Sequence, residues 1–187
     1  MVKKIRSCIF ISGNGSNLNS IITNSRDYNF PIKVVLVISN KKNAFGLNFA
    51  KKYNIPYKIF SSINENSFER NCIIELKKKK IKFICLAGFM KILSKKFIDN
   101  FGNKILNIHP SLLPKFKGTN THKRALKSNV KYSGCTVHYV SQKVDSGNII
   151  LQKKVLIEKG ETENSLKKKI LKQEHLIYSK AIRSVFR

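Results

Sequence analysis

The chain has 187 residues, enough for one α/β domain with a sizeable core and short for two. Hydrophobic residues make up 42%, which argues against wholesale disorder, and no stretch reaches the roughly 18 uninterrupted apolar residues that a membrane helix needs. The formal charge of +27 comes mostly from lysine spread along the whole chain, so it reads as a solvated surface rather than a nucleic-acid footprint, and neither a specific nucleic acid nor a membrane is expected as a partner.

MVKKIRSCIFISGNGSN starts basic and turns apolar, as a signal peptide does. The apolar run is too short, however, and Gly13-Asn14-Gly15 stands where a small-residue cleavage site would be. Residues 5–12 are therefore expected to form a first strand, in a cytoplasmic protein. A glycine loop follows, and Leu18, Ile21 and Ile22 recur at helical spacing over 16–26. A strand over 33–40, a helix over 43–54 and a short strand over 55–60 come next. An amphipathic helix over 66–80, with a basic far side, leads to a strand over 82–88. Continuous apolar strands separated by helices predict a parallel sheet covered on both faces. The later half reads differently. A strand over 104–109 precedes the loop HPSLLPKFKG, and a small helix covers about 121–128. Strands over 133–142 and 148–157 are joined by Val144-Asp145-Ser146-Gly147, too short for a crossover, so they are predicted to pair antiparallel. A helix from about Thr162 to Arg183 closes the chain, with Glu161 and Glu163 near its positive end. The expected class is α/β and Rossmann-like: a mostly parallel central sheet, helices on both faces and an antiparallel C-terminal strand pair.

Two stretches carry chemistry. GNGSNL at 13–18 lies between a strand and a helix, where unpaired backbone N–H groups face an anion. Gly13 and Gly15 allow close backbone approach, and Ser16 and Asn17 can cap the helix or bond phosphate oxygens. No GK[ST] follows, and the third glycine of GxGxxG is missing, so the loop suits one phosphate better than a pyrophosphate. The plain alternative is an N-cap with turn glycines. Further on, Asn107 and His109 share one face of a strand end, where α/β sheets bind ligands. An amide beside an imidazole makes an oxyanion site with a proton source, against the plainer alternative of a structural histidine. Pro110 and Pro114 stiffen the loop, and a cis Leu113–Pro114 bond stays open. Asp145 is either an ordinary turn aspartate or a carboxylate aimed at His109, which would raise the imidazole pKa from about 6.5. A Ser111–His109–Asp145 triad can be drawn, but it has no nucleophile elbow. Cys8, Cys72, Cys85 and Cys135 are scattered, and the histidines show no HxxxH spacing, so no metal site is expected.

With these residues in place, the chain resembles the phosphoribosylglycinamide formyltransferase family. SGNGSNL (12–18), SNKKNAFGL (39–47), LAGFMKIL (86–93), NIHPSLLPKFKG (107–118), GCTVHYVSQKVDSGNIILQ (134–152) and QEHLIY (173–178) follow the order of its motifs. The resemblance implies one formyltransferase domain over 1–187, with a phosphate-binding half over about 1–100 and a catalytic and folate-binding half over about 101–187. It implies transfer of the formyl group of 10-formyltetrahydrofolate, as co-substrate, to the amine of glycinamide ribonucleotide in purine synthesis, with no metal. It assigns the substrate phosphate to Gly15, Ser16 and Asn17, and further substrate contacts to Gly13, Asn14 and Glu174. It places folate against Met90, Lys91, Ile92, Leu93, Asn107, Ser141 and Val144, and catalysis on Asn107, His109 and Asp145. It also implies small-molecule substrates as the only partners of a monomer or homodimer. The loop 61–67 is shortened relative to the family and offers no arginine toward folate, leaving Arg70 as the nearest.

Overall fold

A computed structural model describes residues 4–61, 65–102 and 104–186; most of the shortened 61–67 loop lies outside them or has no described side chains. One seven-stranded sheet runs in the order β3-β2-β1-β4-β5-β6-β7. Its strands are β1 (Ile5–Ile11), β2 (Ile32–Ser39), β3 (Tyr57–Ile59), β4 (Phe83–Leu86), β5 (Ile105–His109), β6 (Tyr132–Tyr139) and β7 (Ile149–Leu156). β1 to β5 pair in parallel, and β6 and β7 add two antiparallel strands. This is the predicted class.

The helices are α1 (Ser16–Ser25), α2 (Leu47–Lys52), α3 (Glu65–Lys78), α4 (Lys95–Phe101), α5 (Thr121–Lys127) and α6 (Glu163–Val185). The sequence reading misses α4. Its seven residues are too short to show a clear period, and it has no acidic residue in its first turn and no basic residue in its last to mark its ends. Ser94 caps Phe97 N–H at 3.1 Å, and the Glu69 carboxylate of α3 accepts from Ser94 N–H at 2.6 Å. The expected α2 was also too long. Residues 43–46 are a turn, because Gly46 must approach the glycine loop.

Alternation along β1 divides the core. Ile9 and Ile11 face one cluster with α1 and α6, while Cys8 and Phe10 face a second with α3 and α4. Phe10 sits edge-on to Phe68, Phe89 and Phe97. A fully buried side chain of this size stabilises the fold by about 1.5–3 kcal/mol. All four cysteines are buried and unpaired, as small hydrophobes should be. α6 begins where expected, with Thr162 and Ser165 bonding reciprocally as a capping box.

Candidate active site

β1, β4 and β5 are adjacent and parallel, so the segments after Ile11, Leu86 and His109 emerge along one edge of the sheet. β6 runs back beside β5, and its register places Asn107 opposite His138 and His109 opposite Thr136. Directly opposed residues share a face. The connection 140–148 folds onto that face. A Cβ on Gly147 would collide with the Tyr139 carbonyl, so only glycine permits this fold-back. Asp145 enters the site from this turn at φ 48.

His109 is buried at 5% exposure between two acceptors. Its Nε2 lies 2.9 Å from the Phe116 carbonyl, and its Nδ1 lies 3.3 Å from Asp145 Oδ2. A neutral ring carries one N–H and satisfies one of them; an imidazolium satisfies both. Burial opposes that charge and pushes the His109 pKa down, while the Phe116 carbonyl and Asp145 push it up. The net direction is downward. The raised pKa expected from an Asp145 partner is therefore corrected: the carboxylate is where the reading placed it, but burial outweighs it. Asp145 itself would be raised by burial. His138, the Gly118 N–H at 2.8 Å and the charge of His109 together hold it below its ordinary value.

His138 is the residue that sequence reasoning missed. Its Nδ1 lies 2.8 Å from the Tyr139 carbonyl and its Nε2 3.2 Å from Asn107 Nδ2. In the neutral ring Nδ1 carries the hydrogen and Nε2 accepts from the amide, whereas the protonated ring carries a hydrogen on Nε2 as well, on the side of Asp145. Asn107 is thus oriented, with its second amide hydrogen still available. His138 Nε2 also lies 3.7 Å from Asp145 Oδ1, too long for a hydrogen bond. The available signal was alternation in GCTVHYV, which puts Thr136 and His138 on one face; only the pairing register says which residues they meet. Leu113–Pro114 is cis. Ser111 Oγ donates to the Lys115 carbonyl at 2.6 Å, so it is turned into the loop and not toward His109.

The glycine loop is built by shape. Gly15 caps α1 at φ 74, and no side chain caps that terminus. Ser16 and Asn17 therefore do not cap. A Cβ on Gly15 would collide with Gly46 Cα, whereas one on Gly13 meets nothing within 4 Å. Gly46 N–H donates to the Gly13 carbonyl at 3.0 Å. Gly46 is a second missed residue, and its only signal was its place in SNKKNAFGL. Gly13 and Asn14 are exposed, and Ser16 is half-buried. Asn17 Nδ2 donates to Glu174 Oε2 at 2.6 Å, which ties the loop to α6. Glu174 is nearly enclosed, and burial raises its pKa against the pull of Asn17 and Lys167.

Met90 and Ile92 stand 69% and 65% exposed beyond β4, two large apolar side chains at the same sheet edge. Lys91 Nζ lies over the Phe68 ring at 5.6 Å. Leu93 belongs instead to the core beneath α3 and α4. A groove of about 410 Å³ separates α4 from the turn after β6, lined by Ile98, Val140, Ser141 and Lys143 among others. Val144 is about half exposed on that turn. Arg70 is exposed on α3. Among the described residues, no three His, Cys, Asp or Glu side chains cluster as metal ligands, and no helix is long and apolar enough to cross a membrane.

Known proteins match this arrangement. The family described as formyl transferase matches residues 5–182. The phosphoribosylglycinamide formyltransferase of Haemophilus influenzae is 42% identical, over 97% of this chain and 86% of its own. The human trifunctional purine biosynthetic protein adenosine-3 is 42% identical over 98% of this chain, which spans only 18% of its length. The crystal structure of phosphoribosylglycinamide formyltransferase from Brucella melitensis superposes with a TM-score of 0.93 at 40% identity, covering 98% of this chain and 96% of that one.

Proposed function

The chain belongs to the formyl transferase family, and from that premise we propose that it transfers the formyl group of 10-formyltetrahydrofolate to the amine of glycinamide ribonucleotide. The products are N-formylglycinamide ribonucleotide and tetrahydrofolate, a step of purine synthesis in the cytoplasm. The observation that carries this reading is His109 held between the Phe116 carbonyl and Asp145, on the same sheet edge as the glycine loop.

The ribonucleotide's phosphate sits at the N-terminus of α1, against Gly15, Ser16 and Asn17, with Gly13 and Asn14 open beside it. Glu174, bonded to Asn17, helps to hold the same substrate. The folate lies against Met90, Lys91 and Ile92 and under Ser141 and Val144, with Asn107 at the formyl group, while Leu93 anchors that segment in the core. The amine lone pair forms the new N–C bond, and the carbonyl π electrons move to oxygen. The free amide hydrogen of Asn107 donates to that oxygen, which is where negative charge develops, and His109 joins it as the substrate draws the Nδ1–H away from its 3.3 Å contact with Asp145. Asp145 raises the basicity of His109 against burial, so the imidazolium becomes accessible as the oxyanion forms. The new ammonium loses a proton and N10 of the folate gains one, by relay through water held at Asp145. The C–N10 bond then breaks and the carbonyl reforms.

Incubating the purified protein with 10-formyltetrahydrofolate, with and without glycinamide ribonucleotide, tests the proposal. Tetrahydrofolate should appear only when the amine is present, together with equimolar formylated ribonucleotide. Release that ignores the amine would replace transfer with hydrolysis.

A further inference from the structure

Ser12 lies between the two halves of the site and belongs to neither. It is buried at 4% exposure, at the end of β1 and directly before the glycine loop. Its backbone N–H donates to the Gly88 carbonyl at 3.1 Å. Its hydroxyl accepts from Met90 N–H at 2.8 Å and donates to Asn40 Oδ1 at 2.7 Å. The hydroxyl proton is committed to Asn40, so a lone pair necessarily faces Met90. The next residue, Gly13, accepts from Gly46 N–H at 3.0 Å. One serine therefore joins the ends of β1, β2 and β4: the segment 88–90, the glycine loop and the turn before α2.

We propose that Ser12 is a positioning residue that seats the 90–93 segment on the glycine loop, so that the phosphate-bearing substrate and the folate each tighten the other's binding. This rests on the function proposed above, which assigns the two loops to the two substrates. The physical reason is shared ordering. A phosphate at Gly15 to Asn17 fixes the path of Gly13 and hence of Ser12. Ser12 then presents a fixed acceptor to Met90 N–H, and the folate meets a segment already in place. Ordering done by the first ligand is not required of the second, which is positive coupling. A residue that served the glycine loop alone would change the ribonucleotide's affinity and leave the coupling untouched.

The test uses the full chain and two ligands that cannot react together, tetrahydrofolate and glycinamide ribonucleotide. Calorimetric titration measures each dissociation constant with the other ligand absent and saturating. In the wild type each ligand should tighten the other by about fivefold or more, equally from both directions, as linkage requires. Ser12→Ala removes the acceptor for Met90 N–H and should reduce the coupling to less than about twofold. Asn40→Ala frees the hydroxyl to turn away, and should lower the coupling without touching the core, which keeps the test alive if Ser12→Ala fails to fold. Ser12→Thr keeps the hydroxyl and should keep the coupling. Independent binding in the wild type, or full coupling in Ser12→Ala or Asn40→Ala, would overturn the proposal. Formyl transfer by the wild type is assayed separately, so loss of the coupling idea is distinguishable from loss of the functional reading.

Discussion

The glycine loop and the His109 cluster lie on one sheet edge and are held by opposite means. At the loop, backbone meets backbone. Gly15 and Gly46 approach so closely that a single methyl does not fit, and no side chain caps α1. At the cluster, side chains meet across a pairing register. Asn107 and His138 are opposed, and His109 and Asp145 meet through a turn far along the chain. One region is shaped by excluded volume, with a titratable tie only through Asn17 to Glu174 at its rim. The other is fixed by donors, acceptors and charge, and its His109 and Asp145 have pKa values shifted by their surroundings. Perturbing shape should therefore damage the first region, and perturbing charge the second.

The largest effect tests the charged region. His109→Ala or Asp145→Asn should lower turnover by about 10²–10⁴, the usual worth of a positioned acid or base. Thermal melts should still show a folded protein, because neither side chain joins the two core clusters. Near-normal turnover in Asp145→Asn would remove the mechanism while leaving the loop's reading intact.

Shape is tested next. Gly15→Ala forces a Cβ into Gly46 at a positive φ and should destabilise the protein by about 1–3 kcal/mol, as overpacking does. Gly13→Ala meets open space and should change stability by less than about 0.5 kcal/mol. Both should raise KM for the ribonucleotide. Denaturant titration separates them, and equal destabilisation by the two substitutions would mean that the close approach of Gly15 and Gly46 does not shape the loop.

Glu174 lies between the regions, a charged group used by the loop. Its pKa is raised from 4.5, first by burial. The unfolded chain then releases this proton before the folded protein does. Stability contributed by the protonated form is present below 4.5 and is lost as pH rises toward the folded value. Glu174→Gln should flatten that fall in a melting-temperature profile over the acid range. Asn17→Leu removes the donor that opposes the shift and should steepen it. A profile unchanged by Glu174→Gln would mean that the carboxyl is better solvated than its surroundings indicate.

What could be read in advance divides along the same line. Periodicity and turn chemistry placed the parallel strands, the antiparallel pair and the glycine loop, because each is a local pattern. Asn107 and His109 were legible as neighbours on one strand. Asp145 was legible only as a candidate, since a turn aspartate has a common structural use. His138 and Gly46 were hidden, because their partners are set by strand register and by packing between loops, which no short window contains. The sign of the His109 shift was misread for a related reason. A partner charge can be guessed from sequence, whereas the burial that outweighs it is a property of the assembled sheet. Helix α4 was hidden because it is short and carries neither an acidic first turn nor a basic last turn.

The smallest effect bears on that competition directly. Burial, the Phe116 carbonyl, Asp145, His138 and Arg124 all act on His109, and their signs are separable. Observed by NMR, the imidazole should titrate below 6.5 in the wild type. Asp145→Asn removes an upward push and should move the midpoint lower still. Arg124→Gln removes a downward push and should move it up. Arg124 is exposed and also donates to the Lys117 carbonyl at 2.6 Å, so Arg124→Lys is the control that keeps the charge while changing the contact. If Arg124→Lys and Arg124→Gln shift the midpoint alike, loop packing and not charge governs the histidine, and the two regions differ less than their geometry indicates. If only Arg124→Gln shifts it, the His109 region responds to charge even from its rim, as its ring held between two acceptors requires.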